Sequence, residues 1–257
     1  MKAHYNKEII KASHRELVSF SRWMNKNHGN YPIIVGGWAV FSHLSKVSSK
    51  LGKAKLGSMQ LGFAPLGSRD IDVVFESKHL MDAVLLNYFR ANGFIAKKDI
   101  LEVSYVKEVK TPLGVEQIFI DACCAKDIRA IPDLNIKIPW SNAAKFNEKF
   151  EIDNDAIIYV PIVELLLMHK IGAAIGRVLL RKPHPSDYLE SKIWKDCYDI
   201  TNLLARLPIK QAQLKKFLEQ VKLDKHIEIL FGELAAKKEI LAEAKVNVEQ
   251  LKEKIGI

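Results

Sequence analysis

The order of apolar and polar positions divides the chain into two parts with different periods. Apolar residues recur at helical spacing over residues 4–24 and predict an amphipathic first helix. Short apolar runs bounded by Gly, Pro or Asn then predict buried strands over residues 33–35, 71–75 and 157–160. Later apolar residues keep a helical period and predict helices over 162–180, 187–206 and 210–221, followed by a Lys- and Glu-rich helical tail over 225–254.

The first part also contains shorter predicted elements. Gly36 and Gly37 end the first strand and precede a predicted helix over residues 38–44. Gly93 closes a second predicted helix. Two strand-like runs flank a turn that contains Pro and Gly, so they predict a hairpin. The helix covers residues 81–92, and the hairpin strands cover 101–109 and 115–122.

The change of period predicts a domain boundary near Asp155. We expect an α/β domain with its N-terminal helix over residues 1–155 and a helical domain over residues 156–257. The predicted fold class is therefore α+β, in which a small mixed sheet is followed by a helical domain that closes a cleft.

Residues 45–68 keep no period and are rich in Gly, Ser and Lys, which predicts a long loop. Its lysines would contact the phosphates of a nucleic-acid acceptor without reading bases. The alternative is a solvated loop with no binding role. The lysines are Lys46, Lys50, Lys53 and Lys55.

Composition and charge set broad limits on function. The 257 residues carry a formal net charge of +9, which favours a polyanionic partner such as nucleic acid or a nucleotide, although solubility alone could explain it. The three cysteines, Cys123, Cys124 and Cys197, fit neither a disulfide framework nor a zinc site. No apolar run is long enough to span a membrane and the charged start does not fit a signal peptide, so we expect a cytoplasmic protein without membrane attachment.

Several well-known signatures are missing from the sequence. The segment 52–58 has the glycine spacing of a P-loop but lacks the lysine after the second glycine. The chain contains no HExxH pair, no G-x-S-x-G elbow and no G-x-G-x-x-G fingerprint. These absences argue against a P-loop NTPase, a zincin, an α/β-hydrolase and a Rossmann enzyme.

Three carboxylates and a glycine pair remain as candidates for chemistry. Asp70 and Asp72 are two positions apart on a predicted strand, so they point to the same face. Asp121, near the end of another strand, could complete an oxygen cage for Mg²⁺ or Mn²⁺, or could be a residue that only enters a turn. Gly36 and Gly37 would let backbone N–H groups at a helix start approach a triphosphate, although a tight turn alone also explains them.

The ordered motifs resemble the DNA polymerase β nucleotidyltransferase superfamily. Its glycine turn, D-x-D strand and third acidic strand correspond to VGGWAV at 35–40, SRDIDVVF at 68–75 and IFIDAC at 118–123. The helical part resembles the K-x-x-A-x-x-x-R and K/R-D-x-x-D pattern of AbiEii-type nucleotidyltransferases, the toxin side of a toxin–antitoxin pair. The matching positions are Lys170, Ala173, Arg177, Lys195, Asp196 and Asp199.

The resemblance implies a Mg²⁺-dependent enzyme that transfers a nucleoside monophosphate from an NTP to a hydroxyl of an RNA or tRNA 3′ end or of a protein, with an antitoxin as a possible partner. It implies that Asp70, Asp72 and Asp121 hold the metals and that Asp121 helps to deprotonate the acceptor. The implied nucleotide-binding residues are Gly36, Gly37, Ser68, Arg69, Lys170, Arg177, Lys195 and Asp196.

Other interpretations stay open at this point. A catalytically silent nucleic-acid or partner-binding module could keep the same fold, and an antibiotic-modifying nucleotidyltransferase would use a small-molecule acceptor. Lys170 and Arg177 share one helix face and could reach either solvent or the triphosphate. Lys195, Asp196 and Asp199 could simply stabilise their own helix through pairs three and four residues apart.

Overall fold

The computed structural model describes residues 7–50, 67–98, 103–112 and 114–257 of the chain. Within these ranges it is an α+β protein, as the sequence pattern predicts. The strands are β1 (Ile33–Val35), β2 (Asp70–Phe75), β3 (Ile95–Lys98), β4 (Val103–Thr111), β5 (Gly114–Cys124), β6 (Ile128–Ile131), β7 (Ile136–Pro139), β8 (Asn147–Asp153) and β9 (Ala156–Pro161).

The helices follow the same numbering along the chain. They are α1 (Lys7–His28), α2 (Gly36–Lys50), α3 (Lys78–Val84), α4 (Ser141–Lys145), α5 (Val163–Arg181), α6 (Asp187–Arg206), α7 (Gln211–Gln220), α8 (Ile227–Ala236), α9 (Lys238–Ala244) and α10 (Val248–Ile255). No helix in the described ranges has both the length and the apolar character that crossing a membrane requires.

A mixed sheet organises the first part of the chain. Seven of the described strands pair in the order β3-β4-β5-β2-β1-β9-β8, while β6 and β7 form a separate two-stranded sheet. The β2–β5 and β1–β9 pairs are parallel, and the β1–β2 and β4–β5 pairs are antiparallel. The centre of the sheet is therefore made of β5, β2 and β1, the strands that carry the sequence motifs.

The described residues divide into two compact units. The sheet unit contains residues 7–42, 67–127 and 139–162, and the helical unit contains 43–50, 128–138 and 163–257, with the gaps in description noted above. The predicted boundary at Asp155 falls in the turn between β8 and β9, where Asp155 has a φ of 59°. Because these two strands pair with each other, the division comes after β9 rather than between them.

One face of the sheet forms the main core of the sheet unit. Ile71 and Val73 of β2 and Ile118 and Ile120 of β5 are fully buried on this face. Phe20 of α1 packs beside the same strands, with its ring centroid 6.4 Å from that of Phe75 and 5.2 Å from that of Phe89. Burying each of these large apolar side chains contributes roughly 1.5–3 kcal/mol. This packing fixes the faces of β2 and β5 and so directs their alternate residues to the opposite side.

The opposite face is apolar at one end and acidic at the other. Val74 packs with Ile33, Val35, Trp140 and Ala143, so α4 and its preceding residue cover the far end of β2. Asp70 and Asp72 lie at the beginning of β2 and are only partly buried. The acidic end of this face is therefore where the candidate site lies.

The helical unit is built around α5, which is buried along most of its length. Helices α6, α7 and α8 pack against α5. The Lys- and Glu-rich tail was predicted as one segment, but it forms three helices, α8 to α10. Lys237 has a non-helical conformation between α8 and α9, and Lys245 has a left-handed conformation between α9 and α10. Phe231, Leu234 and Leu251 of this tail are buried, so it contributes to the core of the unit.

Some elements differ from the predicted ones. Helix α2 continues to Lys50, so the first residues of the predicted 45–68 loop are helical, and residues 51–66, with Lys53 and Lys55, lie outside the described ranges. The predicted helix over 81–92 is α3 followed directly by a π-helical segment, Leu85–Arg90. The strands β3, β6, β7 and β8 and the short helix α4 were not predicted.

Candidate functional site

A row of four residues crosses the centre of the sheet in register. Val35 of β1 lies opposite Asp72 of β2, Asp72 lies beside Asp121 of β5, and Asp121 lies opposite Ser104 of β4. Neighbouring strands are about 4.8 Å apart, and residues in register point to the same face. Asp72 and Asp121 are therefore adjacent carboxylates on the face opposite the main core.

Gly36 brings the start of α2 into contact with this row. It follows Val35 directly and has a φ of 66°, a left-handed conformation that favours glycine. A Cβ atom at position 36 would lie only 1.9 Å from Asp72 Oδ2. The backbone at the beginning of the helix thus occupies space beside the carboxylate that a side chain would fill.

Gly37 has a similar restriction against the segment that leads into β2. A Cβ atom there would lie 2.7 Å from the Cβ atom of Ser68 and 2.9 Å from its Oγ atom. Ser68 is buried at this position. Two motifs that are separated in the sequence, the glycine pair and the residues before the D-x-D strand, therefore pack together.

Arg69 lies across the acidic end of the same face. Its Nε atom donates to Asp70 Oδ1 at 3.1 Å, and its guanidinium carbon lies 4.6 Å from the centroid of the Phe119 ring. Phe119 is in register with Asp70, which places it on the face of Asp121. The ring supports the guanidinium through a cation–π contact and keeps it beside Asp70.

Asp121 is held from the other side by a neutral donor. The Oγ atom of Ser104 donates to Asp121 Oδ1 at 2.5 Å. Both residues are partly buried, and their strands pair antiparallel at this position. Ser104 was not identified from the sequence, because nothing in the local pattern of β4 shows which residue lies opposite Asp121.

The carboxylates suit a hard divalent cation in chemistry and in backbone placement, but their side chains do not form a metal cage as they stand. Carboxylate oxygens are ligands that Mg²⁺ and Mn²⁺ prefer. In the part of the chain that the structure describes, however, no group of three or more His, Cys, Asp or Glu side chains could hold a metal ion. Asp70 is directed to Arg69 instead. Coordination by all three carboxylates would require Arg69 to release Asp70.

The predicted residues of the helical part form a second cluster, within the helical unit. Lys170 Nζ donates to Asp199 Oδ2 at 2.7 Å and to Asp196 Oδ1 at 3.3 Å. Arg177 also donates to Asp196, and Lys195 donates to Asp199. Three cations and two carboxylates thus meet between α5 and α6, and all except Arg177 are buried.

Burial and charge compete in this cluster. Burial alone would lower the pKa of Lys170, but the carboxylates of Asp199 and Asp196 outweigh it and raise that pKa. For Lys195 burial is the stronger effect, and its pKa is lowered. Burial would raise the pKa of Asp196, but Arg177 and Lys170 hold that pKa below its usual range. The cations and carboxylates therefore stabilise each other's charged forms in a region that water hardly reaches.

The predicted site residues consequently fall into two groups. Gly36, Gly37, Ser68, Arg69, Asp70, Asp72 and Asp121 belong to the sheet unit, and Lys170, Arg177, Lys195 and Asp196 belong to the helical unit. Ser104 and Phe119 are contacts that the sequence pattern does not indicate, and Asp199 is a motif position outside the implied nucleotide-binding set. No protein-family model matches the chain, and no curated protein is similar enough to count as a relative. Function is therefore inferred from the residues and their placement.

Proposed function

We propose that the protein is a nucleotidyltransferase that moves a nucleoside monophosphate from an NTP to a hydroxyl acceptor. The observation that carries this proposal is the contact of Gly36 with Asp72, which lies in register with Asp121. A helix start without side chains and a pair of adjacent carboxylates are thereby brought to one place. Triphosphate binding and the activation of a hydroxyl need these two features side by side.

The start of α2 supplies the phosphate-binding half of the proposed site. The first backbone N–H groups of a helix have no partners within the helix, and the helix dipole adds partial positive charge there. The first turn of α2 contains no acidic residue that would repel an anion. Gly36 is partly exposed and carries no side chain, so the phosphates of an NTP can approach its backbone closely, whereas Gly37 is buried against Ser68.

The carboxylates supply the other half. Asp72 and Asp121 would hold a divalent cation, and Asp70 would join them once Arg69 has released it. A Mg²⁺ or Mn²⁺ ion bound there would offset phosphate charge and make the acceptor hydroxyl easier to deprotonate. Asp121 would help to remove the acceptor's proton, and the guanidinium of Arg69 would then be available to a phosphate oxygen.

The acceptor that we propose is an RNA 3′ end, with a protein hydroxyl as the second possibility. The formal charge of +9 supports an RNA acceptor, because phosphate contacts dominate nucleic-acid affinity. The resemblance to AbiEii-type enzymes also suggests tRNA as the RNA and an antitoxin as a partner protein.

The decisive experiment incubates the protein with each labelled NTP, Mg²⁺ and total RNA, and then separates labelled RNA from labelled protein. Wild-type protein should label one of the two, and Asp72→Asn should reduce labelling by about a hundredfold or more. Asp153→Asn is the matched control, because Asp153 is an exposed carboxylate on β8 in the same unit. It should label at the wild-type rate.

Two results would refute the proposal. No labelling with any NTP would indicate a catalytically silent binding module. Labelling by Asp72→Asn at the wild-type rate, with an unchanged melting temperature, would show that the carboxylate row is not the catalytic centre.

A further inference from the structure

We propose that Ser104 is a positioning residue for Asp121 and sets the affinity of the carboxylate row for its cation. This inference rests on the proposed function and adds a residue that neither the ordered motifs nor the resemblance contains. It starts from the 2.5 Å hydrogen bond between Ser104 Oγ and Asp121 Oδ1.

The position of Asp121 explains why it needs such a partner. On one side its strand neighbour in register is Asp72, which carries the same charge. Like charges on adjacent strands repel each other, and this repulsion works against a side-by-side arrangement of the two carboxylates. On the other side the neighbour in register is Ser104. The hydroxyl therefore fixes the orientation of a side chain that electrostatic repulsion would otherwise turn away.

The kind of donor matters as much as its position. Asp70 is paired with the guanidinium of Arg69, a positive charge that competes directly with a metal ion. Ser104 is neutral, so it orients Asp121 without cancelling its charge. A serine hydroxyl has one hydrogen to donate, and it goes to Oδ1. Hydrogen bonds of this kind to a ligating carboxylate typically change metal affinity or activity by about 10–100-fold.

The test compares two substitutions that differ only in the hydroxyl group. Ser104→Thr keeps the donor, whereas Ser104→Val replaces it with a methyl group of similar shape. Both are β-branched residues that suit a strand. Mn²⁺ binding to the protein without nucleotide is measured by electron paramagnetic resonance. We expect Ser104→Val to bind Mn²⁺ about tenfold more weakly than the wild type and Ser104→Thr to bind it with nearly unchanged affinity.

Turnover gives a second measurement that a purely structural role would not affect. Ser104→Val should lower kcat and leave the KM for the NTP unchanged, because Gly36 and Gly37 are untouched. Thr111→Val is the matched control on the same strand. The Thr111 hydroxyl bonds to the Gly114 carbonyl at 3.1 Å, away from the carboxylates, so its loss should change neither Mn²⁺ binding nor kcat.

The outcomes separate this inference from the proposed function. If Asp72→Asn loses Mn²⁺ binding but Ser104→Val binds Mn²⁺ like the wild type, Ser104 has no positioning role. If Ser104→Val then differs from the wild type only in a lower melting temperature, Ser104 and Asp121 are a cross-strand pair with a structural role alone. Tighter Mn²⁺ binding by Ser104→Val would also overturn the inference. If Asp72→Asn and Asp121→Asn both bind Mn²⁺ like the wild type, the metal centre itself is refuted.

Discussion

Gly36 lies against Asp72 so closely that a Cβ atom on the glycine would come within 1.9 Å of the carboxylate oxygen Oδ2. The carbon atom of the same carboxyl group would be 2.7 Å away. Asp72 is anchored in the middle of a sheet, so it has little freedom to move aside. The identity of residue 36 is therefore tied to the position of a carboxylate on another strand.

The first prediction is that Gly36→Ala misplaces Asp72. A left-handed conformation costs a non-glycine residue about 1–2 kcal/mol, and the steric conflict adds to this cost. Displacing a catalytic group by a distance near 1 Å can reduce the rate by about a hundredfold. We expect Gly36→Ala to lose transfer activity and Mn²⁺ affinity together, as measured by labelled-NTP transfer and electron paramagnetic resonance.

Gly29 provides the matched control for this prediction. It has a φ of 61°, but a Cβ atom there would meet nothing within 4 Å. Gly29→Ala should show the backbone strain alone and keep transfer activity. If both variants lost equal stability and neither lost activity, the contact of Gly36 with Asp72 would have no functional role.

The second prediction concerns Arg69, which acts as a competing cation at Asp70. Arg69→Gln removes the positive charge 3.1 Å from Asp70 Oδ1, at a site where the two side chains are 27% and 13% exposed. Because this ion pair is partly solvated, we expect Mn²⁺ to bind roughly threefold to tenfold more tightly. The KM for the NTP should rise, since a phosphate contact is lost. Titration of Mn²⁺ against the nucleotide-free protein measures the first effect, and exposed Arg90→Gln is the control. Weaker Mn²⁺ binding by Arg69→Gln would contradict the prediction.

The third prediction is an asymmetry within the buried cluster of the helical unit. Among the five charged groups described in this cluster, Asp199→Asn would leave three cations and one carboxylate, whereas Lys170→Met would leave two cations and two carboxylates. Uncompensated buried charge is the more costly state, so we expect Asp199→Asn to lose about 3–5 kcal/mol of unfolding free energy and Lys170→Met clearly less. Urea unfolding at pH 7 measures both. Equal losses would show that the cluster's excess charge is compensated by other groups.

Lys170→Met also tests the expectation that Lys170 contacts the triphosphate. If it does, the KM for the NTP should rise in this variant at temperatures where it is folded. An unchanged KM with lower stability would assign Lys170 a structural role through Asp196 and Asp199.

The fourth prediction is a loss of stability in mild acid that depends on His169. Burial, with a smaller contribution from Arg129, lowers the pKa of His169 from 6.5 to about 3. His169 is therefore protonated in the unfolded chain but not in the folded protein over this pH range, and stability falls as the pH drops from about 6.5 towards 3. Between pH 7 and pH 5 this difference amounts to about 2 kcal/mol. The free energy of unfolding of the wild type and of His169→Gln is measured in urea at both pH values, and it should depend less on pH in the variant. The pH dependence that remains is due in part to His14, because burial lowers its pKa as well. Equal pH dependence in the two proteins would exclude His169 as the cause.

The sequence predicts those elements whose signals are local. Helix α6 begins and ends at the predicted residues, because Ser186 caps it by accepting a hydrogen bond from the backbone of Leu189 and its apolar face is regular. Strand β8 has no comparable signal, since it lies at the sheet edge and Phe150 is its one buried residue. Edge strands bury few side chains, and their sequences therefore look like loops.

The site shows the same limit in another form. The types and order of the residues make Asp70, Asp72 and Asp121 candidates, but the pairing that puts Asp121 between Asp72 and Ser104 is a property of strands far apart in the chain. Likewise, the sequence leaves solvent and a triphosphate as alternative partners for Lys170, whereas its partners in the structure lie on the next helix. Which residues of two packed elements meet depends on their mutual rotation and register, and these are set by the whole core.

The parallel pairing of β2 with β5 has a consequence for how the protein folds. Helix α3 and strands β3 and β4 lie between these two strands in the chain, so Asp72 and Asp121 meet only after a long loop has closed. Closing such a loop costs chain entropy before the contacts between the two strands can stabilise it, so contacts of this kind form slowly. During synthesis, the ribosome releases β2 with its two acidic residues well before β5 has emerged. The nascent chain therefore cannot assemble the row from Asp72 to Ser104 until the β4–β5 hairpin has been made, so the candidate site is complete only when most of the sheet is in place.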